Sequence, residues 1–111
     1  MTTTITVDPK YVDVLGAFGS VQDAFDLAIQ RYTIEQITRK IAELRQRAEK
    51  YVSKYGCDYD TFVKRMAMDE TFAAVIESDI DAAWEIDLLD WEFSHKGIDD
   101  WTQKLQSILL G

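Results

Sequence analysis

Apolar residues at Ile34, Ile37, Ile41, Leu44, Ala48, Tyr51 and Tyr55 follow one another at alternating spacings of three and four. That is the coiled-coil period, and charged residues fill the positions between. A second stripe of helical spacing, Val21, Ala24, Phe25, Ala28, Ile29 and Tyr32, comes just before it. Residues 20–55 contain neither proline nor glycine, so one helix is predicted across both stripes. At a rise of 1.5 Å per residue it would run for about 50 Å. A compact chain of this size has a radius of gyration of only about 13 Å. A seam that long needs cover from another helix, and a second copy of the chain is the expected source. Ile34, Ile37, Ile41, Leu44 and Ala48 are then dimerisation residues.

Before the long helix, the segment from Thr2 to Val7 is β-branched throughout and is closed by Pro9, which predicts an extended strand. Alternation turns Ile5 and Val7 inward, as further dimerisation residues, and Thr2, Thr4 and Thr6 outward. Asp8 is placed to cap a short helix with Pro9 at its first position. Tyr11, Val12, Val14, Leu15 and Phe18 form the apolar side of that helix. Gly19 stops it, and Ser20 caps the next.

After the long helix, Gly56 fits a C-terminal stop, and Asp58 caps a short helix through Tyr59, Phe62, Val63 and Met66. Asp69 caps a helix predicted from Glu70 to about Phe93. Its apolar side holds Phe72, Ile76, Ile80, Ala83, Trp84 and Trp91, and Glu77, Asp81, Glu85 and Glu92 form an acidic edge. Asp87 and Asp90 fall inside the apolar sector, where an unpaired charge is costly. Either the helix bends there, or a cation from the long helix or from another protein meets them. Carboxylates four apart at Glu77, Asp81 and Glu85 also allow a shared metal ion. Lys96 and Gly97 are expected to interrupt the helix before a last amphipathic stretch, Ile98, Trp101, Leu105, Ile108 and Leu109.

Composition sharpens this picture. Among 111 residues there is one proline and five glycines, which favours an α-rich chain. Residues 1–56 carry 8 basic and 7 acidic side chains, and residues 57–111 carry 4 and 13. This suggests two segments, 1–56 and 57–111, the second of which should repel nucleic acid and attract a basic surface. Cys57 is alone, which excludes an internal disulfide and fits a reducing compartment. As a nucleophile it would need His95, the single histidine; as a small apolar group it would simply pack. The start carries no signal-peptide pattern, and no apolar run is long enough to span a bilayer. A cytoplasmic protein is expected.

Two resemblances add to these readings. The order strand, short helix, Gly19-Ser20 turn, then Val-Gln-Asp-Ala-Phe-Asp-Leu-Ala-Ile resembles the ribbon-helix-helix fold of small repressors and antitoxins over residues 2–33. It implies a ribbon paired between two chains, with Thr2, Thr4 and Thr6 facing DNA bases and a phosphate site near Ser20. The ribbon lacks the Arg, Lys, Asn and Gln of bidentate base contacts, so it could equally serve dimerisation alone. Over residues 40–93, Lys54-Tyr55-Gly56, Phe62 and the acidic stretch Asp81-Ala82-Ala83-Trp84-Glu85 resemble small antitoxins encoded beside ribonuclease toxins.

The expected fold is mainly α, with a short N-terminal β-strand, a long central dimerising helix and acidic C-terminal helices. The expected function is that of a non-enzymatic dimeric antitoxin. Glu77, Asp81, Glu85 and Asp87 would meet the cations of a basic toxin, and Trp84, Leu88 and Trp91 its apolar rim. No cofactor is called for, and weak operator binding stays open. The alternative is a structural homodimer with no foreign partner, in which the tryptophans are buried.

Overall fold

The computed structural model describes residues 3–111. Its helices are α1 (Pro9–Leu15), α2 (Val21–Tyr55), α3 (Tyr59–Met68), α4 (Glu70–Val75) and α5 (Trp84–Leu110), with a 3-10 turn at Gly16–Phe18 and a π turn at Ile76–Ile80. The chain divides into two compact units, one through Gln36 and the other Ile37–Gly111. The division falls inside α2, not at the Gly56 turn, because a change in charge balance need not coincide with a change in packing.

The expected N-terminal strand is absent. Residues 3–8 have no regular secondary structure, and no strand occurs among the described residues. A lone β-branched segment has no ladder to join, and this sequence offers no second one. Thr4 and Thr6 are exposed on this irregular backbone, Ile5 is exposed and Val7 is half-buried. Thr2 lies outside the described residues. The ribbon on which the ribbon-helix-helix resemblance depends is therefore not formed in this chain.

The helix starts follow local chemistry. Asp8 Oδ1 accepts from the Lys10 amide, Ser20 Oγ from Asp23, Asp58 Oδ1 from Thr61 and Asp69 Oδ1 from Phe72, at 2.8–3.1 Å. Each satisfies an amide that the first helical turn leaves without a partner. Gly56, at φ +76°, ends α2 in a left-handed conformation that glycine adopts at little cost.

In the C-terminal unit, Tyr51, Tyr55, Phe62, Ile76 and Trp91 form the core, backed by Ala48, Met66, Phe72, Trp84 and Leu88. Phe62 is the pivot, with its ring centroid 4.7 Å from Tyr55 and 5.3 Å from Trp91. Ile37, Ile41 and Leu44 are buried as well, Ile34 and Ala48 half-buried. From Ile37 onward the seam of α2 is thus covered within a single chain. The cover is α5, running antiparallel: Tyr55 meets Asp87, Tyr51 meets Asp90 and Leu44 meets Gly97.

Two expected boundaries are corrected. The helix predicted over 70–93 breaks at Ile76–Ile80, where Ser78 Oγ donates to the Ala74 carbonyl and the Asp81 amide closes a π turn onto Ile76 O. Asp81 then lies extended, its Oδ1 accepting from the Ala83 amide at 2.8 Å. Ser and Asp side chains compete for backbone groups in this way. Conversely, Lys96 and Gly97 do not interrupt α5. Gly97 lies inside it because a Cβ there would sit 2.9 Å from Leu44 Cδ1; the glycine sets how closely α5 approaches α2.

Replacing Gly97 by Val should therefore cost about 2–3 kcal/mol through overpacking, measured by denaturant unfolding, and Leu44→Ala in that background should recover part of the loss. Gly97→Ala should stay within about 1 kcal/mol of the native chain, as the gain in helix propensity offsets a small shift of Leu44. Equal effects of Val and Ala would contradict the close contact.

Candidate functional site

Two surfaces compete for a functional role: the acidic edge of α5 singled out by sequence, and the apolar face of the N-terminal unit. Between Glu77 and Glu92 most of the acidic side chains already have partners. Asp87 Oδ2 accepts from Lys54 Nζ at 2.6 Å and from the Tyr55 hydroxyl at 2.5 Å. Lys54 Nζ also reaches Asp81 Oδ2 at 2.6 Å. Asp90 takes the Tyr51 hydroxyl at 2.5 Å and the Arg47 guanidinium, with Lys50 at 3.9 Å. Glu92 pairs with Lys96 at 2.6 Å, and Glu77 accepts the Trp84 indole N–H at 3.3 Å.

The cation that Asp87 and Asp90 require is therefore on α2 of the same chain. Arg47, Lys50 and Lys54, with Tyr51 and Tyr55 beside them, present cations and phenols along one edge of α2. The helical repeat of α5 offers Asp87 and Asp90 at matching intervals. The apolar sector can hold these carboxylates because tyrosine hydroxyls satisfy them from the core side and Lys54 and Arg47 from the solvent side.

The titration of these groups reflects the same arrangement. Burial, reinforced by the bond to Asp90, pushes the Tyr51 phenol up to about 12. Burial and Asp87 raise Tyr55 too. The bonds to Asp81 and Asp87 raise Lys54. Burial alone would push the Asp87 carboxyl up, but Lys54 and Tyr55 together hold it below the ordinary value. Tyr51 and then Arg47 hold Asp90 low, and Lys54 with the Ala83 amide does so for Asp81.

Of the partner-binding residues expected from sequence, Trp91 is 1% exposed and stands in the core. Trp84, Leu88, Asp81 and Asp87 are half-buried, and Glu77 and Glu85 are exposed. The acidic indole face thus faces inward over most of its length. The outward face of α5 carries Ile86, Leu89 and Phe93 instead. Their spacing of three and four was visible in the sequence, but Trp84 and Trp91 drew the assignment to the opposite side.

No three metal-ligating side chains come together among the described residues; Asp81 is occupied by Lys54. Burial raises the Cys57 thiol, which keeps it protonated at neutral pH. His95 lies against Tyr59, ring centroids 4.4 Å apart, and 3.7 Å from Asp60. The ring that a cysteine nucleophile would need is thus engaged by Tyr59 and Asp60.

In the N-terminal unit the described residues include none that is buried. Tyr11, Val14, Phe18, Ile29 and Tyr32 are all more than 45% exposed. Val7, Lys10, Tyr11, Val14, Leu15, Phe25 and Ala28 line an open groove of about 580 Å³. Ser20, the proposed phosphate site, is occupied as the cap of α2. Tyr11, Val14 and Leu15 from the expected apolar side of α1, and Phe25 and Ala28 from the first stripe of α2, meet in this groove.

The fold and these surfaces define an all-helical protein in which no helix among the described residues is long and apolar enough to cross a membrane. Comparison with family models, curated proteins and solved structures finds no match.

Stability should be level between about pH 5 and pH 9 and fall on both sides. The depressed carboxylates stabilise fully above their unfolded value near 4 and lose this as the pH drops through their lower folded values. The raised phenols and Lys54 stabilise fully below about pH 10 and lose this as the pH climbs through their folded values. Urea unfolding across pH should show the alkaline fall reduced in the Tyr51→Phe, Tyr55→Phe double variant. An unchanged alkaline limb would contradict this account of the phenols.

Proposed function

We propose that the protein is a non-enzymatic, antitoxin-like binding protein that takes up a basic protein partner, and that its N-terminal groove is the surface of capture. The observation that carries this reading is the absence of any buried residue before Ile37 among the described residues. A unit that buries so little gains little from folding alone. Covering Tyr11, Val14 and Phe25 with a partner supplies the missing burial.

Charge supports the choice of partner. Residues 3–36 contain Asp8, Asp13, Asp23, Asp26 and Glu35 against Lys10 and Arg31. The charge that lines the groove itself is Lys10, but the acidic balance of the unit as a whole favours an amphipathic segment rich in lysine and arginine. The resemblance of residues 40–93 to antitoxins agrees with a basic toxin as that partner. The contact surface moves, however, from the expected α5 edge to the groove, since Asp81, Asp87 and Asp90 are held by Lys54, Arg47 and the tyrosines.

The second reading is a homodimer with no foreign partner, in which another copy fills the groove. The burial of Trp91 favours it over any contact through the indole face.

Affinity purification of the full chain from its source cells, beside a Phe25→Asp variant, tests the proposal. The native chain should retain a basic protein that Phe25→Asp loses at least tenfold, with Asp87→Asn still retaining it. If no basic protein separates native from Phe25→Asp, the reading fails. If purified native chain alone sediments as a dimer that Phe25→Asp dissociates, the homodimer reading replaces it.

A further inference from the structure

The outer face of α5 is separate from the groove and from the core. Ile86, Leu89 and Phe93 are 70, 69 and 58% exposed. At 3.6 residues per turn they fall within a sector of about 60°. The inward face of the same helix is already occupied by Trp91, Ser94 and the carboxylates paired with α2, so this stripe lies outside the core. Glu85 and Lys96 flank it on one side. On the other, the Arg47 guanidinium lies 5.2 Å from the centre of the Phe93 ring.

We propose that this stripe pairs with the same stripe of a second copy, the two α5 helices crossing antiparallel about Leu89. The stripe is self-complementary in that arrangement. With Leu89 beside the two-fold axis, Ile86 of one copy lies opposite Phe93 of the other. In an antiparallel pair each flank meets the same flank of its mate. Glu85 therefore comes within a turn of Lys96 across the interface, twice by symmetry. Glu85 makes no ion pair among the described residues, and Lys96, held at 2.6 Å by Glu92, is 69% exposed and able to bridge both carboxylates.

A parallel pairing takes Glu85 out of reach of the mate's Lys96 and aligns the helix dipoles, both unfavourable. Three apolar side chains per copy make an interface below the standard size of about 1,600 Å², so the pairing depends on protein concentration. It stands independently of the groove, which belongs to the other compact unit.

The full chain carrying Cys57→Ser and Leu89→Cys should form a disulfide-linked dimer on mild oxidation, well ahead of Cys57→Ser with Ile86→Cys. In sedimentation, Leu89→Asp should weaken dimerisation at least tenfold. Glu85→Lys and Lys96→Glu should each weaken it several-fold, and the two together should restore it. A native chain that stays monomeric at high concentration overturns the proposal. So does a dimer insensitive to Leu89→Asp but dissociated by Phe25→Asp, which would place the contact at the groove. Unfolding followed by circular dichroism on the same samples separates loss of pairing from loss of fold, since Leu89 is exposed and its substitution should leave the melting curve of the monomer unchanged.

Discussion

The structure depends on one match: the tyrosine and cation edge of α2 against the carboxylate edge of α5. Each element alone is a poor core component. Asp87 and Asp90 would be expensive within an apolar sector, and the hydroxyls of Tyr51 and Tyr55 would need partners once buried. Together they satisfy each other, and the rings of Tyr51, Tyr55 and Trp91 stack into the space beneath. Lys54 and Arg47 close the network from the solvent side. A half-completed version of this network would be worse than an apolar one, which ties the antiparallel register of the two helices to the chemistry of a few side chains.

Gly97 belongs to the same constraint. The carboxylates reach the tyrosines only if α5 lies close to α2, and a side chain at residue 97 would meet Leu44 first. Upstream, the π turn at Ile76–Ile80 and the extended Asp81 turn the chain before α5 begins. Asp81 keeps one carboxylate oxygen for the Ala83 amide and the other for Lys54. The break in the helix and the ion pair are thus built from one side chain.

Much of this was legible in the residues themselves. The span of α2, the caps at Asp8, Ser20, Asp58 and Asp69, and the stop at Gly56 all follow from local rules that tertiary contacts did not override. The conflict at Asp87 and Asp90 was also visible and pointed to a cation on the long helix or on another protein. What the chain alone could not show was which helix covered the seam. Periodicity describes a face and not its occupant, so α5 of the same chain and a second copy looked alike. Gly97 was misread because a glycine that ends a helix and one that lets two helices approach look the same in one dimension. The strand was misread because β-propensity speaks of a residue's fit to a sheet, and the described residues hold no sheet to join.

Within one chain, α2 and α5 hold each other through the Tyr51–Asp90 and Tyr55–Asp87 pairs. A double-mutant cycle of Tyr55→Phe and Asp87→Ala, read by denaturant unfolding at several protein concentrations, tests it most directly. The expected coupling is about 1–2 kcal/mol, as for a buried hydrogen bond to a charged group, and the same at every concentration. Additive effects of the two substitutions, or a coupling that grows as the protein is concentrated, would show that these residues do not meet within one molecule.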